Sequence, residues 1–266
     1  MNRVSITRRG ALAAGAVGAA AAGLIAGPAT SQTQTHRSRT TTYLVCHGGW
    51  SAAWAWKKMR PLLHRPPTSV LFTPTYTGVG ERAHLATPTV GLETHIRDIL
   101  AVIETEELSD ITLIAHSYGG TVATGVADRA RERIRQLIYV DAFVPENGKS
   151  QYEMLGKTVG PDAPWLVPPR PIPPDTSEED RRWLTAHRSP QPLASFTTPL
   201  RLSGEDLPPR AYIRCTRIPP DDPQGASART AQKNGWPYVE IDASHNPHVT
   251  APELLASTLL QLTRIT

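Results

Sequence analysis

Ser117 stands in the run Ala115-His116-Ser117-Tyr118-Gly119-Gly120, with a small residue two positions to either side of the hydroxyl. A nucleophile presented on a tight strand-to-helix turn needs such neighbours, because the backbone there is strained and crowded. This is the G-x-S-x-G pattern with Ala115 in the place of the first glycine. A serine hydroxyl attacks a carbonyl only when a base takes its proton and an acid orients that base. Of the nine histidines, His245 is the best candidate base: the loop Asp242-Ala243-Ser244 separates it from the last strand-like run, and the final helical pattern follows it. His248 is the competitor, but its place close to the helix start suits capping or packing. His36 lies in a polar lead-in, and His64, His84 and His95 are read as helix- or loop-surface residues. His116 points away from Ser117 in an extended segment and is read as a packed neighbour. His47-Gly48-Gly49 offers backbone N–H groups on a glycine-rich turn, suited to a developing oxyanion. One donor is assigned to Gly49 and the other to Tyr118, with His47 holding the loop. Together these residues would perform acyl transfer to water, with no metal.

The elements that must position them alternate short apolar runs with helical patterns, which predicts an α/β fold: a mostly parallel central sheet with helices on both faces. Strands are predicted at Tyr43–Cys46, Ser69–Thr73, Ile111–Ala115, Leu137–Val140, Ala211–Cys215 and Tyr238–Ile241. Helical patterns cover Ala53–Leu63 and Gly119–Arg131, and Leu92, Ile96, Ile99, Leu100 and Ile103 recur on one helical face. Thr250-Ala251-Pro252-Glu253 has capping-box spacing ahead of a last helix with Leu254, Leu255, Leu259 and Leu262. In a parallel sheet the loops carrying Ser117 and His245 leave the same carboxyl edge.

Between Pro145 and Pro209 lie 13 of the 25 prolines. Proline removes a ladder donor and breaks helix interiors, so this stretch does not continue the sheet. It is predicted to be a cap or lid, 145–209, inserted after the strand that ends at Asp141, with helical patterns near 150–155 and 177–187. Tyr152, Trp165, Trp183 and Phe196 would give it an apolar underside, and Trp50, Trp165 and Trp183 are the predicted pocket residues.

Arg3, Arg8 and Arg9 precede an uncharged Ala- and Gly-rich run that ends at Gly27-Pro28-Ala29. Residues 1–29 are therefore predicted to be an export signal of twin-arginine type, and the run is too short and too small-residue-rich for a membrane span. Residues 30–41 read as a flexible lead-in and 42–266 as the folded domain. The formal charge of +4 comes from 28 basic and 24 acidic residues. Removing the three leader arginines leaves 25 against 24. No basic cluster interleaved with aromatics remains, which argues against nucleic acid as a partner. The expected partner is a small-molecule ester, with no stable membrane association once the signal is cleaved.

His47-Gly48-Gly49-Trp50, the turn around Ser117, and Ser244-His245-Asn246-Pro247 with Pro252-Glu253-Leu254 resemble the α/β-hydrolase superfamily. Gly78-Val79-Gly80, Asp141-Ala142-Phe143-Val144-Pro145 and Tyr212-Ile213-Arg214-Cys215-Thr216 resemble its bacterial esterase branch, related to plant methyl-ester esterases and hydroxynitrile lyases. The resemblance runs from about Thr42 to the C-terminus. It implies a serine esterase, an eight-stranded sheet, a cap between the fourth and fifth predicted strands, and no cofactor. Plant relatives carry an aspartate soon after the Cys-Thr pair, whereas here Cys215-Thr216 is followed by Arg217-Ile218-Pro219-Pro220, and Asp221 and Asp222 come later. Asp141, at a strand end used by some members of the superfamily, is favoured as the acid, with Asp221 and Asp222 as alternatives. The lyases place a lysine after the histidine where this chain has Asn246, which disfavours that activity; a lactonase and a non-catalytic binding protein are the other readings. The superfamily's strand order separates the strands ending in Cys46 and Cys215, so both are expected to be buried free thiols.

Overall fold

Apolar runs too short for a helix and rich in Val, Ile, Leu and Tyr become strands buried on both faces. The structure, a computed structural model, describes residues 40–204, 206–218 and 222–265. The predicted export signal, 1–29, and most of the lead-in, 30–41, lie outside the described residues. Six strands form one parallel sheet: β1 (Thr41–Cys46), β2 (Ser69–Phe72), β3 (Ile111–His116), β4 (Ile134–Val140), and, after an intervening segment, two more. That segment holds a separate antiparallel pair, β5 (Leu166–Val167) and β6 (Gln191–Pro192). The main sheet resumes with β7 (Arg210–Cys215) and β8 (Tyr238–Ile241), in the order β2-β1-β3-β4-β7-β8. The helices are α1 (Arg60–Leu63), α2 (Leu92–Thr105), α3 (Gly119–Arg129), α4 (Gln151–Met154), α5 (Glu178–His187), α6 (Ala194–Thr197), α7 (Gly225–Lys233), α8 (Pro247–Thr250) and α9 (Pro252–Ile265).

Strand alternation sorts the sheet into two cores. Leu44 and Cys46 of β1 face a core shared with Ile96 and Ile99 of α2 and Val122 and Val126 of α3. Tyr43 and Val45, one residue out of phase, face the other core with Trp56, Met59, and Leu255 and Leu259 of α9. Each fully buried Leu or Ile contributes about 1.5–3 kcal/mol relative to exposure. The register Cys46↔Ala115, Ala115↔Tyr139 and Tyr139↔Tyr212 aligns the carboxyl ends of four strands at one edge.

Four details differ from expectation. Among the described residues the main sheet has six strands, not the eight that the resemblance implied. Residues Ala53–Met59 form a 3-10 helix rather than the first turns of an α-helix, and α1 begins afresh where Pro61, lacking an N–H, occupies its first turn. Thr250 does not open the last helix but ends α8, where its hydroxyl donates to the carbonyl of Asn246, and α9 starts at Pro252. His95 is fully buried rather than on the surface.

The 145–209 segment runs between β4 and β7 and holds α4, β5, α5, β6 and α6. Ser150 and Glu153 build a reciprocal capping box at α4, and the Ser177 hydroxyl caps α5 by accepting from the N–H of Asp180. Lys58 ties α5 to the sheet's helices, reaching Asp180 Oδ1 at 2.6 Å and the carbonyl of Val249 at 3.0 Å.

Candidate active site

Where β3 gives way to α3, Ser117 takes a φ of 52°, a left-handed conformation that a non-glycine residue rarely holds. The turn exists only because its neighbours are small: a Cβ on Gly119 would collide with the carbonyl oxygen of Cys46. Asp141, one residue past β4, is also left-handed at φ 43°, and its side chain has no solvent exposure. His245 sits in the loop after β8.

These three residues, far apart in sequence, form one hydrogen-bonded chain. His245 Nε2 lies 2.9 Å from Ser117 Oγ, and His245 Nδ1 lies 2.6 Å from Asp141 Oδ2. A carboxylate only accepts, so Nδ1 carries the proton and Nε2 is left to accept from the serine hydroxyl. The other oxygen, Asp141 Oδ1, accepts from Arg214 Nη1 at 3.0 Å and from the Cys215 N–H at 3.4 Å. Arg214 Nη1 also pairs with Asp222, so Asp222 reaches His245 only through Arg214 and Asp141. Asp221 lies outside the described residues.

His116 is buried, and its Nε2 donates to the carbonyl of His245 at 2.7 Å. Burial, and then the nearness of His245, pull its pKa down to about 3, so it remains a neutral donor. It is the packed neighbour expected, against the rings of His245 and His248, and its hydrogen bond also fastens the His245 loop. Burial likewise lowers the pKa of His47 to about 3; its Nδ1 donates to the Gly48 carbonyl and its Nε2 accepts from the Tyr76 N–H. His248 stacks on Trp56 with ring centroids 4.9 Å apart, and burial holds its pKa well below the usual range.

Ser117 opens into a cavity of about 650 Å³ that Gly49, Tyr118, Trp50, Phe143 and Phe196 help to line. Trp50 closes the turn after Gly49 and is held from the 145–209 segment at two points. Its backbone N–H donates to Gln191 Oε1 at 2.7 Å and its indole N–H to the carbonyl of Val167 at 2.9 Å. Trp165 and Trp183, predicted for the pocket, do not line it. Trp165 is 40% exposed, and Trp183 packs edge-on against Trp54 instead. Gln191 was missed from the sequence, since nothing near it in the chain marks a polar side chain that reaches back to the loop after β1.

Beneath the serine turn, His95 Nδ1 accepts from the Tyr118 hydroxyl at 2.8 Å and His95 Nε2 donates to the Thr77 carbonyl at 3.0 Å. The missed signal was available, because residue 95 is three after Leu92 and so falls on the apolar stripe of α2.

A hydroxyl, imidazole and carboxylate in series, beside a glycine-rich turn at the carboxyl edge of a parallel sheet, can carry out nucleophilic acyl transfer. The chain belongs to the Alpha/beta hydrolase family, which matches residues 43–258. It is 38% identical to the Carbendazim hydrolyzing esterase of Nocardioides sp. (strain SG-4G), over 83% of this chain and 98% of that one. It is 31% identical to Methylesterase 9 of Arabidopsis thaliana over 44% of this chain and 46% of that one. Among solved structures, an extracellular alpha/beta-hydrolase from a Paenibacillus species superposes with a TM-score of 0.67 at 22% identity, covering 83% of this chain and 98% of that one.

Proposed function

We propose that this chain is a serine esterase that hydrolyses small to medium carboxylic esters with a hydrophobic body through an acyl-enzyme. The observation that carries the reading is the unbroken series Ser117 Oγ, His245 Nε2, His245 Nδ1, Asp141 Oδ2, at 2.9 and 2.6 Å, at the wall of an apolar cavity. Ser117 attacks the ester carbonyl while His245 takes its proton. The N–H groups of Gly49 and Tyr118 stabilise the tetrahedral oxyanion. His245 then protonates the leaving alcohol, and water releases the acid by the reverse route. Asp141 holds the imidazole in the reactive tautomer and balances its transient charge, with Arg214 and Asp222 fixing the carboxylate from behind.

A fluorophosphonate probe labels only an activated serine. We expect one label per chain, on Ser117, and hydrolysis of a p-nitrophenyl ester series that Ser117→Ala abolishes. Wild-type turnover by that variant would overturn the assignment. The esterase relatives support this reading, and the 38% identity to the Nocardioides protein makes carbendazim a test substrate. Lactones belong in the same panel, because their ring opening needs the same chemistry.

Export is also proposed, on the strength of Arg8-Arg9 and the Ala-rich run before Ala29. Cys46 and Cys215 are buried free thiols on strands with β3 and β4 between them, so the fold needs no oxidant to close. Sequencing the N-terminus of the mature protein tests the cleavage site.

A further inference from the structure

Beside the Ser117 cavity lies a second one of about 440 Å³, and Arg170, Arg188, Pro171 and Ile172 line both. Its charged lining is all of one sign: Arg170, Arg181 and Arg188. Arg181, Thr185 and Arg188 are spaced i, i+4, i+7 along α5 and its C-terminal cap, so one helical face carries them to this wall. Among the described residues none of the three arginines makes a salt bridge; each is held by uncharged groups. Arg188 Nη1 donates to the carbonyl of Arg170 at 2.7 Å. Arg170 sits 5.7 Å over the ring of Trp50. Arg181 Nη2 donates to the carbonyls of Pro173 and Pro174, both at 3.2 Å.

Elsewhere around the active site the charges are matched. Arg214 has Asp141 and Asp222, and Arg217 has Asp242. Arg170 and Arg188 are the exceptions, and Arg188 is a partly buried cation whose pKa burial lowers. Like charges gathered without counter-ions repel one another, and a guanidinium fork is shaped to take a planar oxyanion through two parallel N–H bonds. Pro171, Ile172 and Trp50 line the Ser117 cavity together with Arg170 and Arg188 and give it apolar wall.

We propose that the preferred substrate is an ester that also bears a carboxylate, held by Arg170 and Arg188 while its aliphatic or aromatic body lies along those walls and its ester carbonyl meets Ser117. The inference rests on the esterase reading above and names its substrate class. Arg181 adds positive potential that draws the anion to the cavity mouth.

The test compares monomethyl adipate with dimethyl adipate, which varies charge on the acyl side, and 4-acetoxybutyrate with its methyl ester, which varies it on the alcohol side. In at least one pair we expect kcat/KM for the anion to exceed that for the neutral ester about tenfold or more, the worth of one charge-assisted hydrogen bond. Arg188→Gln and, separately, Arg170→Gln should collapse that ratio. Arg182→Gln, which removes the same charge from α5 at a residue paired with Glu178, should leave it unchanged. The pair that responds tells which side of the ester carries the carboxylate. Ratios near one in both pairs, with the neutral esters hydrolysed, would overturn the subsite and leave the esterase standing. If no ester is turned over, the esterase reading fails instead. Adipate binding to Ser117→Ala, followed by tryptophan fluorescence, then decides the subsite alone: saturable binding lost in the Ser117→Ala/Arg188→Gln double variant supports it, and no binding overturns it.

Discussion

Both oxygens of Asp141 are committed, Oδ2 to His245 and Oδ1 to Arg214, and this separates it from Asp222, whose carboxylate pairs with the arginine. The distinction is measurable. Asp141→Asn keeps the shape but presents an amide that no longer stabilises the correct imidazole tautomer, so kcat should fall on the order of 10⁴-fold. Asp222→Asn removes only the brace on Arg214 and should cost far less; equal losses in the two variants would contradict the proposed order of the relay. Asp141 and His245 could be picked out from the chain because each follows a strand at a distance that its own segment sets. Arg214 could not, although it sits in a legible strand. Its importance comes from a partner 73 residues away, and alternation along β7 says nothing about which carboxylate ends up beside it.

The elements built on local periodicity were legible for the same reason that they fold: β1, β3 and β4 are apolar on successive residues, and α2 repeats its apolar residues every three or four. The 145–209 segment was legible only as a departure from that rhythm. Its proline count gives its extent, but its contacts depend on tertiary placement: of its aromatics Phe196 lines the cavity, whereas Trp165 and Trp183 do not, and Trp54 and Phe143 from outside the segment do. Gln191 is where this segment meets the turn after β1. Replacing it with Leu leaves the Trp50 N–H without its acceptor, a cost of about 1–3 kcal/mol, and loosens the turn that presents Gly49. We expect Gln191→Leu to lower kcat more than it raises KM, as befits an interaction that matters in the transition state; a pure KM effect would assign Gln191 to substrate binding. Gly119→Ala should fail more generally, since its Cβ meets a β1 carbonyl, and a drop in the urea midpoint would precede any question of rate.

At the scale of the whole molecule, four histidines buried as neutral rings, His47, His95, His116 and His248, make stability depend on pH. His47, His95 and His116 each have a folded pKa of about 3, lowered chiefly by burial, against an ordinary value of 6.5. Between those values the unfolded chain binds protons that the folded chain refuses, so stability is complete above about pH 6.5 and is lost as pH falls toward 3. Each such ring contributes a slope of up to about 1.4 kcal/mol per pH unit in that window. Urea midpoints measured from pH 7.5 to 4.5 should fall less steeply for His95→Gln than for the wild type; parallel curves would refute the buried neutral ring. The clasp on Trp50 has a consequence for how the chain acquires its activity. The groups that hold it, the Gln191 side chain and the Val167 carbonyl, lie 141 and 117 residues further along the chain. The entropy of closing such loops must be met before the contacts reward it, and two hydrogen bonds reward it little. During refolding, helical circular dichroism should therefore recover before ester hydrolysis does. On that order, competence waits on a side chain that the sheet itself does not need, the Gln191 amide that receives the Trp50 N–H; simultaneous recovery of the two signals would refute it.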